Sequence, residues 1–370
     1  MFDLKENRRK IEGKSKGKIT RKGKEIMEEQ EIENEIIEDL EDYEKIEEDS
    51  ILTSPLFLAC QNGQLAALQD LLLLPPDHPE SININQASND GITPLHLSCQ
   101  NGHLPIVDLL LKDSRMLYPN QADNKGETPF YCACRCGRLD VVELLLQDPR
   151  VDPNQPNHER ATPFFVACNH GQLGVVDLLL KTPGINYNQC NTKGETPFFI
   201  ACRNGYEIVE LLLKDPRIDI NQPTNDGRTT LWTACFYDRI DIVELLLNDA
   251  KMDPNQANKE NLTCLYIACQ RGHSFVAQLL LQDPRINPNT PTMHFETPLK
   301  SACLNGHTAI VYLLLQHPKI DVDQPDENGE TPLFAACRNG HSRIVFELKQ
   351  YRKILSSPKE KKRKEKSLRD

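Results

Sequence analysis

One seven-residue pattern, Thr-Pro-x-x-x-Ala-Cys, returns nine times and constrains this chain more than any other feature. It reads TPLHLSC from Thr93, TPFYCAC from Thr128, TPFFVAC from Thr162, TPFFIAC from Thr196, TPLKSAC from Thr297 and TPLFAAC from Thr331. Variants start at Ser54 (SPLFLAC), Thr229 (TTLWTAC) and Thr263 (TCLYIAC), and the successive spacings are 39, 35, 34, 34, 33, 34, 34 and 34 residues. A unit this short cannot bury its own apolar side. It must stack on its neighbours, and nine such units make a solenoid.

Each unit carries the punctuation of two helices. Thr or Ser suits an N-cap, and the following Pro lacks the donor that a first helical residue would leave unsatisfied. About nine residues on comes a glycine (Gly63, Gly102, Gly137, Gly171, Gly205, Gly272, Gly306, Gly340), as expected where a helix ends left-handed. A second apolar-periodic run follows, such as GHLPIVDLLLKD (102–113), and stops before Asp-Pro or a similar break. A segment rich in Asn, Asp and Gln then returns to the next Thr, with Gly two residues before it in most copies, as suits a hairpin tip. The long first spacing contains LLLLPPDHPE (71–80), expected to be an enlarged loop. GYEIVELLL (205–213) is one residue short, so its helix connection should be tighter.

The repeat resembles the ankyrin repeat, whose period is about 33 residues with a TPLHxA start. The copy from Thr93 to Ser98 departs from that start only by Ser for Ala, and the resemblance covers about residues 51–350. It implies a mainly α fold, an ankyrin-repeat solenoid of stacked helix-turn-helix units with hairpin-like loops. It also implies a non-enzymatic protein-binding role, as adaptor, scaffold or inhibitor, through hairpin tips and the faces of the first helices. Three domains follow: a charged tail over 1–50, nine repeats over 51–350, and a basic tail over 351–370.

Charge separates the ends from the body. Residues 1–24 hold ten Lys/Arg against three Asp/Glu, residues 25–50 one Lys against fourteen acids, and residues 349–370 ten basic against three acidic. Within the acidic run, Ile32, Ile36, Leu40, Tyr43 and Ile46 fall at helical spacing, which predicts an amphipathic helix over 26–48 capping the first repeat. At the other end, Lys361, Lys362, Arg363 and Lys364 resemble the core of a nuclear import signal, although such a cluster equally suits nucleic acid or acidic lipid. No run approaches the length of a membrane span, and no apolar segment follows the basic N-terminus as a secretory signal would require. The expected location is therefore intracellular, in the cytoplasm, the nucleus or both.

Thirteen cysteines raise the question of metal or redox chemistry, most sharply in YCACRCG (131–137). Alignment disperses the motif. Cys134 shares a column, six residues after the cap, with Cys60, Cys99, Cys168, Cys202, Cys235, Cys269, Cys303 and Cys337, a slot for a small buried residue. Cys132 and Cys136 are single replacements, as are Cys190 and Cys264. Adjacent helices stand too far apart for disulfides along that column. Histidines at 103, 273, 307 and 341 follow the glycines and resemble the Gly-His that caps the turn between helices. No motif of a hydrolase, kinase or zinc site occurs in the body, and no cofactor is expected. A thiol-dependent enzyme and a nucleic-acid-associated nuclear factor using the basic tails remain as other readings.

Three residues after each cap stands a largely aromatic column: Phe57, His96, Tyr131, Phe165, Phe199, Trp232, Tyr266, Lys300 and Phe334. It reads either as a packed ladder or as an exposed stripe for partners. Departures from pattern supply the candidate contacts. Arg160, Asn261 and Phe295 replace tip glycines, and Met293-His294-Phe295 puts apolar groups where a solvated tip is expected. Lys300 interrupts the aromatic column, and Trp232, Phe236 and Tyr237 crowd the sixth copy. The candidate partner-binding residues are therefore Trp232, Phe236, Tyr237, Met293, His294, Phe295, Lys300 and Arg160.

Overall fold

The computed structural model describes residues 52–73, 82–204 and 206–355. The chain divides between Ser54 and Pro55 into two units, and the repeats lie in the second. Among the described residues eighteen helices follow one another in nine pairs, and no strand occurs. The pairs are α1 Pro55–Asn62 with α2 Leu65–Leu72, α3 Pro94–Asn101 with α4 Leu104–Lys112, and α5 Pro129–Arg135 with α6 Leu139–Gln147. Next come α7 Pro163–Asn169 with α8 Leu173–Lys181, α9 Pro197–Asn204 with α10 Tyr206–Leu213, and α11 Thr230–Phe236 with α12 Ile240–Leu247. The last three are α13 Cys264–Arg271 with α14 Ser274–Gln282, α15 Pro298–Asn305 with α16 Thr308–Gln316, and α17 Pro332–Arg338 with α18 Ser342–Leu355.

The caps act as the sequence predicts. The Thr128 hydroxyl accepts from the Tyr131 amide at 3.1 Å, and Thr162, Thr196, Thr229, Thr263 and Thr297 repeat the bond at 3.1–3.2 Å. His96 completes a reciprocal cap: its Nδ1 accepts from the Thr93 amide at 3.1 Å while its own amide bonds the Thr93 hydroxyl. First helices end in the left-handed region, at φ +81° for Gly102 and +78° for Gly306. In the sixth repeat Asp238 takes that conformation instead, at φ +55°. The expected tighter connection between α9 and α10 falls on Gly205, which lies outside the described residues.

Each first helix packs on the first helix of the next repeat, and each second helix does the same in its own row. The cysteine and aromatic columns are buried by the following repeat. Cys60 through Cys303 are buried, and so is the third-position column from Phe57 to Lys300. That column is therefore a packed ladder, not an exposed stripe. The ninth repeat is the exception: Cys337 is exposed and Phe334 is 52% exposed, because no further first helix among the described residues covers them. The same open end alters the last helix. α18 runs to Leu355, five residues past the expected limit of the repeats, with Tyr351 and Leu355 partly buried on the core.

Polar ladders tie the repeats together at the turn of each unit. Asn120 donates to the Arg150 carbonyl at 2.6 Å and accepts from the Asp152 amide at 2.9 Å. Asn85, Asn154, Asn188, Asn255 and Asn289 make the same two bonds across their junctions. Arg150, Arg217 and Arg285 each donate to the last turn of the second helix one repeat back, at 2.7–2.8 Å, while held by Asp148, Asp215 and Asp283. These carboxyls sit below the usual carboxylate range, first because of the arginine hydrogen bonds. The histidine column also reaches back a repeat rather than capping its own turn. His103, His273, His307 and His341 bond the Gln61, Phe236, Gln270 and Leu304 carbonyls at 2.9–3.2 Å. Arg138 and Gln172 take the same place in their repeats, bonding Gln100 and Arg135 carbonyls at 2.8 and 3.0 Å.

The expected amphipathic helix over 26–48, the basic cluster at Lys361–Lys364 and most of the loop 71–80 lie outside the described residues.

Candidate partner-binding face

Hairpin tips form the first part of this face. Asn and Asp shape them: the Asn157 side-chain oxygen accepts from the amides of Glu159 and Ala161 at 3.1 and 2.9 Å, holding the loop in an Asx turn. Neighbouring tips are linked by one backbone bond each, 2.8 Å from the Asn124 amide to Asp90 and 2.9 Å from His158 to Lys125. Gly126 sits so close to the next tip that an added Cβ would lie 2.7 Å from the His158 nitrogen. Gly91, Gly126, Gly194 and Gly227 are thus needed twice over, for positive φ and for close approach, whereas Gly329 is needed for positive φ alone.

Arg160, Asn261 and Phe295 adopt the same left-handed backbone without being glycine, at φ +65°, +57° and +59°. Asn tolerates that region, whereas Arg and Phe are strained there by about 1–2 kcal/mol. Phe295 and its neighbour Met293 are each 57% exposed, so the strain presents apolar surface to solvent rather than packing it. Around this tip the inter-tip bonds are the longest of the series, 3.3 Å from Met293 to Glu260 and 3.3 Å from Glu327 to His294. The His294 ring lies 3.2 Å from the Glu327 carboxylate.

Lys300 is not a surface group. It is 3% exposed and occupies the aromatic column, where it bonds Asp326 directly and lies 3.8 and 3.9 Å from Glu330 and Glu296. Burial alone would push the Asp326 carboxyl up, but the Lys300 bond and two backbone amides outweigh it and the net direction is down. Tyr266, one repeat back, donates to Glu296 at 2.8 Å, so a lysine here does for Glu330 and Asp326 what a tyrosine does for Glu296.

Trp232 is likewise inside the stack, at 5% exposure. Phe236 and Tyr237, half-buried, carry its aromatic surface outward: the Trp232 and Phe236 rings stack at 5.3 Å, and Tyr237 meets Phe236 edge-on at 5.0 Å. The Arg271 guanidinium lies 4.0 Å over Phe236, and that of Arg228 lies 5.8 Å from the Trp232 ring. Burial pushes the Tyr237 phenol up, opposed by Arg203, Arg228 and Arg271 together. The structure therefore joins Trp232, Phe236 and Tyr237 into one cluster, sets Met293–Phe295 two repeats further along the tips, and leaves Arg160 apart in the fourth repeat. The three arginines carry no sequence motif, but aligning the position before each Thr shows Arg228 where four repeats have Glu127, Glu195, Glu296 and Glu330.

The cysteines separate as the alignment suggests. Cys132 and Cys134 are buried and Cys136 is half-buried, with the Cys132 sulfur 3.9 Å from Glu127 Oε2 and 4.0 Å from Arg135. Among the described residues no three His, Cys, Asp or Glu side chains converge as metal ligands. No described helix is long and apolar enough to cross a membrane.

Comparison with known families agrees with this architecture. The family described as "Ankyrin repeats (3 copies)" matches residues 56–157, 149–224, 217–292 and 286–356. No curated protein is similar enough to match. With nine capped helix pairs and family matches running from residue 56 to residue 356, the chain belongs to the ankyrin-repeat family.

Proposed function

We propose that this protein is a non-enzymatic adaptor, scaffold or inhibitor that binds a partner protein through its hairpin tips and first-helix faces, centred on repeats six to eight. Ankyrin repeats are generally protein–protein interaction modules, which supports the class. The observation that carries the location is Phe295, a bulky residue at φ +59° with its ring in solvent. Glycine at that position would relieve the backbone, so the strain offsets no packing gain within the fold. Such strain is the kind retained for contact with something else. Met293 widens the apolar patch, and Phe236 and Tyr237 continue the face two repeats back. The location we favour is intracellular. Thirteen thiols, all free and most of them buried as core groups, suit a reducing compartment.

The test is Phe295→Gly. It should make the eighth repeat more stable, by about 1 kcal/mol once the added chain entropy of glycine is allowed for. The same change should weaken capture of the proteins that the intact chain retains from its own cells. Binding unchanged in a stabilised variant would move the contact elsewhere on the solenoid.

A further inference from the structure

The second helices change character along the chain on their solvent side. Their fifth residue is acidic in repeats two to six: Asp108, Glu143, Asp177, Glu210 and Glu244. In repeats seven to nine it is Gln278, Tyr312 and Phe346. Of the nine described second helices, only α14 and α16 contain no Asp, Glu, Lys or Arg at all. A surface helix ordinarily keeps charged or polar residues on the side away from the core. Here that side carries aromatic rings and glutamines.

The rings stand in solvent. Phe275, Tyr312 and Phe346 are 56–67% exposed, and they are three of the six exposed aromatic side chains among the described residues. They form one row. Tyr312 and Phe346 hold the same register in the packed helices α16 and α18, and Phe275 lies one turn before Gln278, which holds that register in α14. Ile354, also exposed, extends the row about two turns further along α18. Uncharged Gln282, Gln316 and Gln350 border it. Apolar groups scattered singly over a surface call for no explanation, whereas a contiguous uncharged row marks a contact.

Charge indicates what the contact is with. α18 ends at Leu355, and the fifteen residues after it hold seven Lys/Arg against three Asp/Glu. Arg343 and Arg352 on α18 are already paired, with Glu347 at 3.0 Å and with Asp323, so the attraction falls to the basic residues of 359–369. An apolar row continued in sequence by a polybasic segment supplies both components of reversible attachment to an anionic bilayer. Aromatic and aliphatic side chains settle at headgroup level, and Lys/Arg are drawn to the lipid charge. The acidic column of repeats two to six would be repelled by such a surface, and it stops where the row begins. The row of a second copy is the poorer occupant, since it offers the basic segment no counter-charge.

We propose that the second-helix face of repeats seven to nine docks on an anionic lipid bilayer, with Phe275, Tyr312, Phe346 and Ile354 entering the headgroup layer and residues 359–369 held by lipid charge. The proposal does not rest on the protein-binding reading above, which concerns the tips and first helices, and either can fail alone.

The full chain is sedimented with vesicles of phosphatidylcholine alone and of equimolar phosphatidylcholine and phosphatidylserine. It should bind the anionic vesicles, release them as salt is added, and bind the neutral ones poorly. Phe275→Ser/Tyr312→Ser/Phe346→Ser should lower the affinity for anionic vesicles about tenfold or more. Lys361→Gln/Lys362→Gln/Arg363→Gln/Lys364→Gln should do the same, while Phe295→Ser at its hairpin tip should not. The three aromatic side chains are exposed, so far-UV circular dichroism of the serine variant should match the parent. Insertion has its own readout: the new indole of Phe346→Trp should be quenched by brominated lipid, whereas the buried Trp232 of the parent should not. No binding to anionic vesicles, full affinity in the serine variant, or an unquenched Phe346→Trp would each overturn the proposal. So would a concentration-dependent doubling of mass in ultracentrifugation that the serine variant abolishes, because the row would then belong to a second copy.

Discussion

Replacing Lys300 by methionine keeps an unbranched side chain of nearly the same length and removes the ammonium, its charge and its donors together. The ammonium is 3% exposed and faces three carboxylates, bonding Asp326 and lying 3.8 and 3.9 Å from Glu330 and Glu296. Taking one partner out of a buried ion pair strands the other and costs about 3 kcal/mol or more. Asp326 still accepts from the amides of Asn328 and Glu330 at 2.9 and 2.8 Å, so we take the lower figure. Because a repeat array opens locally, the readout is hydrogen exchange at amides of α15 and α17, which should speed up about 100-fold. Lys300→Tyr should do far less harm, about 1 kcal/mol, since Tyr266 already serves Glu296 from this column at 2.8 Å. Acid supplies a check of sign. A carboxyl lowered by the fold adds stability above its ordinary value of 3.8 and loses it as pH falls through the lowered value. Without Lys300 that lowering shrinks, so the deficit of Lys300→Met should narrow as pH falls below 3.8. Equal exchange in Lys300→Met and the parent protein would refute the account of this cluster.

His96 is buried and neutral: burial lowers its pKa from the ordinary 6.5, its Nδ1 accepts from Thr93, and its Nε2 donates to the Glu127 carbonyl at 3.0 Å. The stability it lends is present above 6.5 and falls as pH drops below it; His96→Phe should remove that step from the exchange of α3 and α5, whatever its baseline. Gly306→Ala combines positive φ with a Cβ 2.6 Å from the His341 ring, and should destabilise by about 2 kcal/mol in urea unfolding. Gly171→Ala, with nothing within 4 Å of the new Cβ, should cost about half as much. Thiol titration of the native protein should find Cys337 fast and Cys136 and Cys190 slower. The remaining thiols, with Cys60 pushed up by burial to about 11 and Cys303 to about 12, should stay silent until unfolding.

The repeat made the architecture legible because each cap, proline and glycine acts within its own unit. The Thr-Pro starts and the left-handed glycines lie where the sequence puts them. Whether the third column packed or faced solvent was not legible, since that depends on the next repeat covering it, and Phe334 shows the outcome when none does. Lys300 misled for the same reason: an isolated lysine among aromatics reads as a surface interruption, and two of its three carboxylates, Asp326 and Glu330, come from the loop of the next repeat. Trp232 crowds its repeat in the sequence, but its ring is interior, and Phe236 and Tyr237 are the more exposed members of the cluster. Arg203 and Arg271 escaped notice because arginine ends first helices elsewhere too. Only the reversed partner at Arg228 distinguishes repeat six, and that shows in an alignment of the residue before each cap.

The central claim is that partners engage the tips and first-helix face of repeats six to eight rather than the second helices. A photoreactive benzoylphenylalanine placed in turn at Phe295, Tyr237 and the exposed second-helix residue Phe275 tests it in the protein's own cells. Irradiation should yield protein adducts from the chains labelled at 295 and 237 and none from the chain labelled at 275. Adducts from 275 alone, or equally from all three, would contradict the claim.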